Sequence, residues 1–132
     1  MKLANKTTKM FHFEYSIYPI TKDNEKIMNR QGKYFLSSKY KNYEKAIALE
    51  TIKQWPPGFK RIASRVRIKR LLFKFSNKRH SDLANLLKSI FDALQGILYF
   101  NDKQIKSINN LELVENANKP GIVLELEVIQ NG

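Results

Sequence analysis

The stretch from Arg65 to Phe75 limits the possible folds more than any other part of this 132-residue chain. Its apolar residues alternate, which is the period of a strand, but the alternation changes phase midway. Val66 and Ile68 share one parity, while Leu71, Phe73 and Phe75 share the other. A regular strand would send the two sets to opposite faces of a sheet. A one-residue bulge near Lys69-Arg70 brings both sets to one side. The other side, with Arg65, Arg67 and Lys69, is then expected to be strongly basic.

The remaining segments can be placed around that strand. Phe11, Phe13, Tyr15 and Ile17 alternate with His12, Glu14 and Ser16, again a strand pattern. Pro19 to Lys33 is polar, with Asn24, Asn29 and Gly32, and reads as a long loop or hairpin. A short strand over Tyr34–Leu36 follows. Ser37-Ser38 then offers an N-cap for a helix to about Gln54, stopped by Trp55-Pro56-Pro57-Gly58. A second helix is predicted over Asp82–Gln95. Leu83, Leu86, Leu87, Ile90 and Leu94 form its apolar stripe, Asn85, Lys88, Ser89 and Asp92 its other side, and Gly96 its C-terminal stop. Asn101-Asp102 turns the chain, Ile105–Leu111 has strand spacing, and Pro120-Gly121 leads into a last strand, Ile122 to Val128. This order predicts an α+β fold, a mixed β-sheet with two helices packed on one face, in a single domain over 1–132.

Charge narrows the class of partner. The chain has 24 Lys/Arg against 12 Asp/Glu, for a net +12. Between Thr51 and Leu111 there are 13 Lys/Arg and only three acids, Asp82, Asp92 and Asp102, a balance of +10. Such a concentration fits a polyanion, because side chains that neutralise phosphates release counterions. Cysteine is absent, which excludes disulfides, thiolate nucleophiles and cysteine-bound zinc and fits a cytoplasmic location. No apolar run is long enough to span a membrane, and Met1 to Met10, polar and lysine-bearing, does not read as a secretory signal.

The two isolated acids Asp82 and Asp102 each have two readings. Carboxylates are the natural ligands of Mg²⁺. Equally, Asp82 complements the dipole of the helix it begins, and Asp102 suits a turn. Lys88, six residues beyond Asp82, points well around the helix from it but is long enough to reach a phosphate near the helix start. Lys53, Lys60 and Arg61 flank the Pro-Pro loop and either grip phosphates or are simply solvated. His12 and His80 lack nearby ligand partners, and there is no Walker or Rossmann glycine loop.

Arg79-His-Ser-Asp82-Leu-Ala-Asn85-Leu-Leu-Lys88-Ser-Ile-Phe-Asp92-Ala-Leu-Gln-Gly96 continues through Asn101-Asp102-Lys-Gln104-Ile105. This run resembles the signature of the RusA-type Holliday junction resolvases. Pro19-Ile-Thr-Lys22-Asp-Asn24, Tyr34 through Ala46 and the Pro120-Gly121 strand are similar to further parts of that family. The resemblance implies a RusA-like fold, an intertwined homodimer, Mg²⁺ or Mn²⁺ as cofactor, and paired nicks across a four-way DNA junction. It implies catalytic roles for Asp82, Lys88 and Asp102, with Asp82 and Asp102 on the metal and Asn85 and Asp92 nearby. Lys22, Arg67, Lys69, Arg70, Lys78, Arg79 and Asn85 are the residues expected to contact DNA. The sequence departs from the signature at Ala84, where a second aspartate belongs, and at Asn101, where the first of a paired aspartate belongs. A methyl group cannot ligate a metal, so weakened cleavage is expected. Two other functions also fit a basic chain of this kind: a junction-binding protein without catalysis, and a small RNA-associated protein.

Overall fold

The computed structural model describes residues 6–21, 26–78 and 80–131. Strand β1, Lys6–Tyr15, is followed by a small antiparallel hairpin of β2, Lys26–Met28, and β3, Tyr34–Leu36. Helix α1 spans Ser38–Gln54, with the Ser37 hydroxyl accepting from the Tyr40 N–H as its N-cap and Trp55 ending it. Strand β4, Arg65–Lys74, leads to helix α2, Leu83–Leu94. Short strands β5, Ile105–Ile108, and β6, Leu111–Val114, precede the long β7, Gly121–Asn131.

The main sheet is mixed. β7 lies between β1 and β4 and is antiparallel to both, while β5 and β6 run parallel to β4 along its far edge. The bulge expected in β4 is present. Ile68 faces Leu126 and Arg70 faces Glu125, which leaves Lys69 as the extra residue. Val66, Ile68, Leu71, Phe73 and Phe75 are therefore all buried on one side. The bulge also explains a difference from the expected strand over Ile105–Leu111, which divides in two. β5 pairs with the first half of β4 and β6 with the second, and Asn109-Asn110 cross the step, where the Asn109 N–H donates to the Ile68 carbonyl and the Leu71 N–H to the Asn110 carbonyl.

Both helices pack on that side in one core, with Phe13, Tyr15, Tyr40, Ile47, Ile90, Leu124 and Leu126 at its centre. Tyr15 and Thr51 hydroxyls bond at 2.7 Å inside it. The side-chain amide of Gln54 pairs with both backbone groups of Glu14, which ties α1 to β1. Ser89, expected on the polar side of α2, is buried; its carbonyl accepts from the Tyr40 hydroxyl where α1 crosses α2. Gly96, just past the Gln95 cap, has φ +85° and lets the chain reverse out of α2.

The opposite face of the sheet is mixed in charge, not strongly basic. Glu125 and Glu127 of β7 lie against Arg70 and Arg67 in register. Arg67 is ion-paired to Glu127 at 2.7 Å and also donates to the Ser107 hydroxyl. His12 bridges Glu125 and Glu14 on the same face.

Candidate functional site

Asp82 is the N-cap of α2. One carboxylate oxygen accepts from the Asn85 backbone N–H at 2.9 Å and the other from the Asn85 side-chain amide at 3.2 Å. Both readings of Asp82 are thus physically compatible: it caps the helix, and it stays exposed with spare lone pairs. Ala84 and Lys88 are exposed and four residues apart, so they share a helix face that continues to Asp92. The position that lacks the signature's aspartate therefore lies on the same side as Lys88.

Asp102 begins a single 3₁₀ turn, Asp102–Gln104, capped by Asn101. Two glutamines hold this turn, and sequence reasoning gave neither a role. The Gln95 side-chain oxygen accepts from the Asp102 N–H. The Gln104 amide makes four hydrogen bonds of 2.9 Å, accepting from the N–H groups of Phe100 and Asn101 and donating to the carbonyls of Ile62 and Ser64. The available signal was Gln104 itself, which the family signature retains beside the aspartate.

These contacts fix where the acids lie. Asp82 is at the N-terminal end of α2 and Asp102 is tied to Gln95 at the C-terminal end. Thirteen steps at about 1.5 Å separate those ends by roughly 20 Å. Among the described residues no three His, Asp or Glu side chains are grouped to hold a metal. Burial first, and then the negative charges of Asp102 and Asp92, hold the Tyr99 phenol well above its usual range. Beside Asp102, Phe91, Ile105 and Ile108 line an open hollow of about 420 Å³.

The residues expected to contact DNA are dispersed. Arg70 and Lys78 are exposed and Lys69 is half-buried at the bulge. Arg67 is occupied by Glu127. Asn85 is bonded to Asp82. Lys22 and Arg79 lie outside the described residues. His80 leads towards α2 from the side of β4. Its ring lies against Phe75, and its nitrogens contact the Ser81 carbonyl and Glu115, which raise its pKa.

A basic α+β domain with acids at both ends of one helix and a lysine on its exposed face has the residue types of a protein acting on phosphodiesters. The chain belongs to the endodeoxyribonuclease RusA family, whose model matches residues 16–127. No curated protein matches it. No helix among the described residues is long and apolar enough to cross a membrane.

Proposed function

We propose that this chain is a structure-selective endodeoxyribonuclease that resolves four-way DNA junctions by paired symmetric nicks, as a homodimer dependent on Mg²⁺ or Mn²⁺. The supporting observation is α2, within the family-matched region, with Asp82 and Asn85 at its start, Lys88 on its exposed face and Asp102 tethered at its far end. The reaction splits a phosphorus–oxygen bond with water and builds negative charge on the phosphoryl oxygens. Lys88 supplies a flexible cation for that charge. Asn85 holds the Asp82 carboxylate in one orientation.

Among the described residues one chain does not gather its acids around a metal, and on this reading a second copy supplies the rest of the site. A twofold axis near Leu87 sets two α2 helices antiparallel, the start of each beside the end of the other. Packed helix axes lie 8–10 Å apart, far less than the roughly 20 Å along one helix. Asp82 of one subunit then approaches Asp92 and Asp102 of the partner subunit. Half-buried Leu83, Leu87 and Phe91, four residues apart, supply the seam, which continues to Ile105 and Ile108 on the open strand edge. Ala84 supports a second reading, a junction-binding protein without catalysis. Incubation with labelled four-way junction, linear duplex and structured RNA, with and without Mg²⁺ or Mn²⁺, tests the proposal. Metal-dependent symmetric nicking of the junction supports it. Junction binding without nicking supports the second reading, and preference for RNA overturns both.

A further inference from the structure

At the end of the sheet beyond the Pro-Pro turn lies a half-enclosed pocket of about 320 Å³ that the nuclease site does not use. Its walls are Phe11 and Phe59, in edge-to-face contact at 4.5 Å, and its rim carries Lys9, Lys60 and Arg61. No acid lines it, and none of the three cations is ion-paired among the described residues. This differs from the sheet face, where Arg67 is neutralised by Glu127. The Arg61 guanidinium lies 5.0 Å from the ring centre of Phe100, which is 54% exposed, and so extends the cation–aromatic surface towards Asp102. The pocket is also fixed relative to that acid, because Gln104 binds the carbonyls of Ile62 and Ser64 while bracing the Asp102 turn.

Aromatic faces beside unpaired cations suit one ligand chemistry: a base stacked on a ring with its phosphate on Lys or Arg. The volume is at the small end for ligand sites, the scale of one nucleotide unit. We infer that this pocket takes a single unpaired deoxynucleotide of a DNA strand, with its base on Phe59 and its phosphate on Lys60 and Arg61. The inference rests on the DNA reading above and adds a site for an unpaired strand beside a duplex-cutting centre.

Trp55 makes the test direct. It is the chain's one tryptophan and packs against Phe59 with ring centres 5.1 Å apart. The full chain is titrated, without divalent metal, with a short 5′-phosphorylated oligo-dT, with thymidine 5′-monophosphate and with inorganic phosphate, following Trp55 fluorescence and calorimetric heat. The expected result is saturable oligonucleotide binding, weaker mononucleotide binding and no competition by phosphate at equal ionic strength. Lys60→Ala/Arg61→Ala and the volume-conserving Phe59→Leu should each weaken it roughly tenfold or more. Their circular dichroism and thermal melts confirm that the fold is kept. Absent oligonucleotide binding, unchanged affinity in both variants, or full competition by phosphate overturns the inference. Junction nicking that persists in that case leaves the nuclease reading standing and removes only the pocket.

Discussion

Ala84 is the residue on which activity should turn. It sits in the first turn of α2 on the face of Lys88, where a carboxylate would also be favoured by the helix dipole. Ala84→Asp is expected to raise metal-dependent junction cleavage by more than the 10- to 100-fold typical of changes around a metal site, with junction affinity unchanged or slightly reduced. Asp102→Asn in that background should abolish the gain while binding persists. A gel cleavage assay beside a mobility-shift titration checks both. His12 gives a prediction of a different kind. Its contacts with Glu125, and then Glu14, raise its pKa above the usual 6.5. The stability it contributes is therefore complete below about pH 6.5 and is lost as pH rises through the raised value. Thermal melts from pH 5.5 to 8.5 should show this loss in the native chain and not in His12→Gln.

Gln104 shows how one side chain can support a whole turn. Replacing it with Leu leaves two N–H groups and two carbonyls of neighbouring segments without their partner. It should cost about 1–3 kcal/mol, read as a lower melting temperature, and should reduce cleavage more than junction binding because Asp102 loses its brace. In the sheet, the β4 bulge and the β1–β7 contact are the sensitive points. Deleting Lys69 would put Val66, Ile68, Leu71, Phe73 and Phe75 in one unbroken alternation, so the deletion variant should still fold with the bulge removed, and Lys69→Ala should melt within a few degrees of the native chain. Gly121 opens β7 against β1, and a Cβ there would run into the Tyr15 carbonyl oxygen. Gly121→Ala should therefore destabilise by about 1–3 kcal/mol, measurable by urea titration.

Dimerisation and charge act over the entire molecule. If the metal lies between subunits, Asp82→Asn and Asp102→Asn homodimers are both inactive, but mixing them restores one intact site per heterodimer. Nicking of one junction strand by the mixture, made in the Ala84→Asp background, is the expected outcome. Inactive heterodimers, verified by mass, would place both acids in one subunit's site. The concentration of positive charge from Thr51 to Leu111 should make junction affinity fall steeply with salt, by about 0.9 log units per log unit of salt for each phosphate contacted. A flat salt titration would count against any nucleic-acid partner.

Much of this was legible along the chain because it depends on local spacing. The phase change in Arg65–Phe75 announced the bulge, Ser37 and the Pro-Pro-Gly run bounded α1, and the Asp82–Gln104 segment carried the family signature. The division of Ile105–Leu111 was not legible, since it follows from the bulge in a different strand. Nor was the neutralising of the basic face, because Glu125 and Glu127 lie about sixty residues from their partners and only antiparallel register brings them to Arg70 and Arg67. The acids show the difference most clearly. Sequence placed Asp82 and Asp102 in one motif; the structure adds that Asp82 caps the start of α2 while the Asp102 turn is tied to Gln95 at its end. Residue types and local periods are written in the sequence; which charges meet is decided by the length of a helix and the register of a sheet.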